Sequence, residues 1–197
     1  MLDLLAGEAQ IAVMRKIMTP LASLAALAAF ALPGAALATL PVGATAPTFT
    51  TQGALAGKDV PLDLRKALRK GPVVLYFYPK AFTQGCTLEA HAFAEATPEF
   101  AKYGATVIGL SADDLPTLRK FSTEACRDKF TVGVASPSII KSYDVALKRA
   151  GMSAGMSDRT SYVIAPSGKI AFVHSDLDYR DHVKRTLEAV KALKAKR

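Results

Sequence analysis

The segment Val73-Val74-Leu75-Tyr76-Phe77-Tyr78-Pro79-Lys80-Ala81-Phe82-Thr83-Gln84-Gly85-Cys86-Thr87 decides the reading of this chain. Its first six residues are apolar, β-branched or aromatic, the pattern of a strand buried on both faces. Pro79 ends the strand, because it has no N–H for a ladder. Thr83 to Lys102 then has the spacing of an amphipathic helix, with Leu88, Phe93 and Phe100 among its apolar positions and Pro98 as an expected kink. Cys86 therefore falls at a strand-to-helix turn. There, unpaired N–H groups and the positive end of the helix dipole stabilise a thiolate. Thr83 places a hydroxyl about one helical turn ahead of the sulfur.

Working outward, residues 39–48 read as an extended lead-in. Phe49–Gln52 and Val60–Leu62 read as a hairpin, and Leu64–Arg69 as a short helix capped by Asp63. Ala105–Ser111 is a second buried strand. Asp113 is the expected cap of the next helix, which holds Pro116 in its first turn and runs to about Cys126. Phe130–Ala135 is a third strand, and Pro137–Tyr143 a short helix. A loop through Gly151, Gly155 and Asp158 follows. Thr160–Ala165 and Lys169–His174 flank the turn signal Pro166-Ser167-Gly168. Arg180–Lys194 is a terminal helix with Val183, Leu187, Val190 and Leu193 on one face. This order predicts an α/β fold, a central mixed sheet with helices on both faces and an N-terminal β-hairpin extension.

The chain has 197 residues, 50% hydrophobic and 21% charged, a composition that argues for a packed domain and against disorder. Its net charge is +8, but the bases are scattered apart from a group at the C-terminus, which suits the solvated end of a helix. No nucleic-acid partner is expected. Residues 1–38 read as a signal peptide: the basic Met14-Arg15-Lys16, the apolar Leu21–Leu32, the break Pro33-Gly34 and the site Ala36-Leu37-Ala38. Met14 is a candidate start. The apolar run is too short for a membrane span. Cleavage would leave one domain, residues 39–197, still at +8, in a bacterial periplasm or outside the cell, with no membrane association of its own.

Two cysteines, Cys86 and Cys126, and three scattered histidines, His91, His174 and His182, show no metal-ligand spacing. No flavin, haem or nucleotide motif is present, so no metal or cofactor is expected.

The segment Tyr76–Thr87, taken with the distant Asp158-Arg159-Thr160-Ser161-Tyr162-Val163-Ile164, resembles a peroxiredoxin of the AhpC/TSA family, in the subgroup of bacterioferritin comigratory protein. The resemblance implies a thioredoxin-like fold and a thiol-dependent peroxidase of the thioredoxin-dependent type, active in antioxidant defence. It implies Cys86 as the peroxidatic cysteine, with Pro79, Thr83 and Arg159 around it. Each role is chemically sensible. A thiolate attacks one peroxide oxygen and becomes a sulfenic acid. Thr83 can set its hydroxyl beside the sulfur, Arg159 can stabilise developing charge, and Pro79 can shield the pocket. Glu89 matches a glutamate common in the subgroup, and equally suits the first turn of any helix. His91 reads as a partly exposed helix residue, His174 and His182 as structural or solvated.

The commonest subgroup pattern has a second cysteine five residues after the first, where this chain has His91. Resolution then falls to Cys126 or to an outside thiol. Some members place a resolving cysteine on the equivalent helix, nearest by spacing to Ser122. The expected partners are a peroxide and a thiol donor: a thioredoxin-like or glutaredoxin-like protein, or a small thiol. Analogy with the subgroup suggests a monomer or weak homodimer. Two other functions fit the fold. A thiol–disulfide oxidoreductase would need Cys-x-x-Cys where the chain reads Cys86-Thr87-Leu88-Glu89, and a non-catalytic redox-binding module would leave peroxide untouched.

Overall fold

Alternation along one strand divides the molecule into two halves. The structure is a computed structural model that describes residues 39–148 and 155–195. The expected signal peptide and Gly151 lie outside the described residues. In β3 (Val73–Phe77), Val73, Leu75 and Phe77 pack into one core, and Val74 and Tyr76, with Tyr78 just beyond, pack into the other. All six are wholly buried, as the continuous apolar run requires.

The strands join into one seven-stranded sheet of order β2-β1-β5-β4-β3-β6-β7, namely β1 (Thr50–Leu55), β2 (Lys58–Asp63), β3, β4 (Thr106–Ser111), β5 (Thr131–Val134), β6 (Thr160–Ile164) and β7 (Ile170–Ser175). β3, β4 and β5 are parallel, and the rest pair antiparallel. The sheet is mixed, as the sequence predicts, and the expected hairpin is β1–β2, which extends one edge.

One core lies between the sheet and α2 (Gln84–Lys102), α3 (Leu115–Glu124) and α5 (His182–Ala195), and is built on Tyr76, Phe93, Phe100, Leu118, Phe121 and Val190. The other is covered by α1 (Leu64–Leu68) and α4 (Pro137–Ser142), and uses Leu64, Phe77, Ile139, Tyr143 and Tyr162. Asp63 caps α1 as expected, accepting from the Lys66 N–H at 2.9 Å. Tyr76 needs a special neighbour. A Cβ on Gly109, its partner across β4, would stand 2.7 Å from the Tyr76 Cζ. Only glycine leaves room for that ring.

Three expectations change. Asp114, not Asp113, caps α3 through the Thr117 N–H at 2.9 Å. α3 stops at Glu124, so Cys126 sits past the helix, in a turn where Arg127 and Asp128 take positive φ to swing the chain into β5. Leu88 does not share the buried stripe of Phe93 and Phe100: at 41% exposure it faces outward from α2.

Candidate active site

Register brings the candidate residues together. β6 runs antiparallel to β3, with Thr160 opposite Phe77. Arg159, the residue before β6, therefore arrives where β3 ends and the chain turns into α2. That turn is held from several sides. The Tyr78 N–H donates to the Leu110 carbonyl at 3.0 Å, and the Ser157 hydroxyl donates to the Tyr78 carbonyl at 2.9 Å. Asp113, freed from capping, accepts from the Ala81 N–H and the Ser111 hydroxyl, both at 2.7 Å. Phe82 takes φ 63°, a conformation that costs a non-glycine residue about 1–2 kcal/mol. Its ring sits edge-on to Phe121, at 5.2 Å between centroids.

Thr83 then takes the N-cap position of α2, and Cys86 is the third residue of the helix. The first backbone bond of that turn runs from the Thr87 N–H to the Thr83 carbonyl, at 2.9 Å. Cys86 is buried, at 2% exposure. Its Sγ lies 3.4 Å from Arg159 Nη2. The guanidinium is fixed by two further bonds, from Nε to the Leu177 carbonyl at 2.9 Å and from Nη1 to Glu89 Oε2. Arginine has five N–H donors, so a hydrogen remains on each terminal nitrogen. The cation is itself 5% exposed, which strengthens its field at the sulfur.

Cys86, Arg159 and the N-terminus of α2 are thus brought together. Thr83 frames the same turn, but its hydroxyl donates to the Lys80 carbonyl at 3.0 Å rather than toward the sulfur, and makes no capping bond. Its lone pairs are left for a ligand. Pro79 is half-buried at the end of the strand. Beside the site, Gln84, Gly85, Leu88, Asp178, Tyr179 and Arg180 line a cleft of ≈ 320 Å³. At Gly85 a Cβ would stand 3.4 Å from Arg159 Nη2. Phe82, Leu88 and Leu177 are exposed apolar residues on the segments around it.

Cys126 is a free thiol, as is Cys86, and is buried in the same core. Burial pushes its pKa up, and Asp128 adds to the shift. Ser122 is committed elsewhere: its hydroxyl accepts from the Gly57 N–H at 2.9 Å and donates to the Arg119 carbonyl at 2.7 Å. Tyr76 and Tyr78 pack in the same core as both cysteines, and their buried hydroxyls have no hydrogen-bond partner among the described residues. Burial holds both phenols protonated, and both cysteines lie within electrostatic reach of both rings.

Glu89 is wholly buried beneath Cys86. Burial pushes its carboxyl up to about 8, against the opposing pull of Arg159. His182 and Ser161 lie in the same buried layer, and neither carries a functional signal in the sequence. Strand alternation would have placed Ser161 on the same face as Arg159; nothing in the sequence marks His182 as buried. His91 is half-buried on α2, as expected. Among the described residues no group of three or more His, Cys, Asp or Glu is arranged to hold a metal ion.

Residues 42–173 match the model of the AhpC/TSA family. The chain belongs to that family. Curated relatives include the chloroplastic peroxiredoxin Q of Populus jackii, 32% identical over 153 residues, covering 77% of this chain and 68% of the relative. That of Oryza sativa subsp. japonica is 30% identical over 152 residues, covering 77% and 67%. Among solved structures, the peroxidoxin BcpB of Mycobacterium tuberculosis superposes with a TM-score of 0.69 at 29% identity, over 78% of this chain and 98% of that one. The Xanthomonas campestris bacterioferritin comigratory protein, described for its alkyl peroxide reduction activity, gives 0.64 at 26% identity, over 73% and 91%. This AhpC/TSA protein thus has the thioredoxin-like fold of the peroxiredoxins and is a thiol-dependent peroxidase by class.

Proposed function

We propose that Cys86 is the thiol that attacks peroxide and that Arg159, Thr83 and Pro79 form the pocket around it. The contact between Arg159 Nη2 and Cys86 Sγ, at 3.4 Å inside a buried helix N-terminus, carries this reading. The thiolate attacks the nearer oxygen of ROOH, and the O–O bond breaks. Sulfur is oxidised to the sulfenic acid, and the departing RO⁻ takes a proton to become ROH. A fixed cation stabilises both the thiolate and the negative charge that grows on the departing oxygen. The spare N–H groups of Arg159 and the lone pairs of Thr83 supply the hydrogen bonds.

We propose Cys126 as the resolving thiol. Its sulfur attacks Cys86, an S–S bond forms, and the hydroxyl leaves as water with the Cys126 proton. Burial keeps that proton on Cys126 in the resting fold, so the step needs the end of α3 or the first turn of α2 to open. The disulfide then returns to two thiols at the expense of a thioredoxin-like or glutaredoxin-like protein or a small thiol. Hydrogen peroxide and small organic hydroperoxides are the proposed substrates; the alkyl peroxide activity described for the Xanthomonas campestris relative supports the second. Export of the chain, with cleavage after residue 38, is proposed from the leader pattern alone. A monomer or weak dimer is proposed by analogy.

The test is intact mass and free-thiol count of residues 39–197 before and after one equivalent of hydrogen peroxide. Loss of about two mass units and both thiols, abolished by Cys86→Ser and by Cys126→Ser, is the expected result. Gain of one oxygen at Cys86 with Cys126 still free would sink the internal disulfide. No reaction of the reduced protein would sink the peroxidase assignment of Cys86.

A further inference from the structure

Cys126 is carried by a short stretch of chain that is pinned at both ends. Upstream, α3 is fixed by Leu118 and Phe121 in the core and by the Ser122 hydroxyl, which accepts from the Gly57 N–H in the turn between β1 and β2. Arg119 adds an ion pair with Asp59 of β2 at 3.1 Å. Downstream, Phe130 is buried in the same core and β5 begins. Between these anchors, Thr123, Glu124, Arg127, Asp128 and Lys129 are exposed. Only Ala125 and Cys126 are buried there. Two small side chains thus hold residues 123–129 to the core.

The stretch is also strained. The Cys126 N–H donates to the Phe121 carbonyl, the Asp128 N–H to the Ser122 carbonyl and the Lys129 N–H to the Cys126 carbonyl, each at 3.0 Å. Closing this turn takes Arg127 to φ 50° and Asp128 to φ 61°. That region suits glycine, is tolerated by aspartate and strains a long side chain. The Arg127 side chain ties the turn to α2, with Nη1 3.0 Å from Glu95 Oε1. Both partners are exposed, so the tie is weak. Cys86 is supported differently. It is held inside the first turn of a long helix, against a guanidinium that Leu177 and Glu89 fix in turn.

We propose that Arg127 and Asp128 are positioning residues of the resolving step: the strain they hold in the turn makes residues 123–129 the segment that opens, and so delivers Cys126 to oxidised Cys86. The proposal rests on the assignment of Cys126 as the resolving thiol above. Opening returns both residues to ordinary φ and takes Cys126 out of the apolar core, where burial keeps its proton on. Its sulfur then attacks the sulfenic sulfur of Cys86. The S–S bond forms, the S–O bond breaks, and the hydroxyl leaves as water with the Cys126 proton. Strain raises the closed turn and not the open one, so it lowers the cost of opening. α3 up to Ser122 and β5 from Phe130 onward stay docked, because their own anchors are not in the segment.

The test compares Arg127→Gly with Arg127→Ala. Neither can pair with Glu95, and they differ in the strain of a positive φ, which glycine lacks. Each reduced protein is mixed with hydrogen peroxide and quenched over time with dimedone. Intact mass then separates the trapped sulfenic acid from the disulfide, which is about two mass units below the dithiol. Sulfenic acid should form at the same rate in both variants. Disulfide should form about fivefold more slowly in Arg127→Gly, the effect of removing strain at one residue. Equal rates, or a faster Arg127→Gly, would overturn the proposal. A second readout needs no chemistry at sulfur. Amide hydrogen exchange of Asp128 and Lys129 in the reduced protein should slow by a similar factor in Arg127→Gly, with the amides of Phe93 and Phe100 unmoved. Exchange at Asp128 and Lys129 that does not differ between the variants would overturn the strained turn. No disulfide in the wild type would remove Cys126 as the resolving thiol, and the positioning role with it, even where exchange had established the strain.

Discussion

Arg159 Nη2 stands 3.4 Å from Cys86 Sγ across 73 residues of chain. Two ordinary devices make the contact. The antiparallel pairing of β6 on β3 delivers Arg159 to the end of the central strand, and the turn after that strand delivers Cys86 to the start of α2. Neither residue is placed by a flexible loop tip.

Arg159→Ala is expected to slow oxidation of Cys86 by about 10²–10³-fold, the usual loss when one fixed donor is removed from a developing negative charge. Arg159→Lys keeps a cation but cannot serve Leu177, Glu89 and Cys86 together, and should recover only part of the rate. Stopped-flow oxidation by hydrogen peroxide checks both.

Asp113→Ala removes the acceptor of the Ala81 N–H and of the Ser111 hydroxyl. The turn between β3 and α2 loses its anchor, and stability should fall by about 1–3 kcal/mol, the cost of leaving buried donors unpaired. Cys86 should also react more slowly while the far-ultraviolet circular dichroism stays unchanged. Denaturant unfolding and peroxide kinetics on one preparation decide it.

Gly109→Ala would push a methyl group to within 2.7 Å of Tyr76 Cζ. Overpacking of this kind costs about 1–3 kcal/mol. The lost stability should show as a lower urea midpoint with an unchanged slope.

His182 is held down to about 4 by burial, whereas an unfolded histidine titrates near 6.5. The unfolded chain therefore binds the extra proton in the window between these values. The contribution of this one group should drop by on the order of 3 kcal/mol as pH falls from about 6.5 to about 4. Glu89, held up to about 8 by burial, shifts stability in the opposite direction over most of this window, so the contribution is read against His182→Gln: the wild type should lose stability relative to the variant as pH falls. A difference between the two that stays constant across the window would contradict the buried neutral ring.

The strands were readable from the sequence because each carries its own signal. Val73–Tyr78 is apolar throughout, as a strand covered on both faces must be, and the turn at Pro166-Ser167-Gly168 fixes the pairing of β6 with β7. Cys86, Thr83, Pro79 and Arg159 were legible as a motif, and three of the four follow one another within eight residues. What was not legible depends on depth. Glu89 reads equally well as a solvated acid or a buried one. His182 follows the mostly polar stretch Ser175–Asp181 and precedes Val183-Lys184-Arg185, and a single apolar neighbour does not announce its burial. Asp113 and Asp114 are adjacent candidates for one cap, and only the position of Ala81 decides between them. Leu88 counts among the apolar positions of α2, but its angle about the helix axis puts it off the buried stripe of Phe93 and Phe100.

The backbone bond from Thr87 to Thr83 closes the first turn of α2, and Cys86 lies inside the loop it closes. The thiol proposed to attack peroxide is thus mounted on the fraying end of a 19-residue rod. Helix termini melt more cheaply than helix centres, because few hydrogen bonds are lost for each residue released. Moving the sulfur would therefore disturb one turn, while the rod stays docked through Phe93 and Phe100 and the central strand keeps both its neighbours.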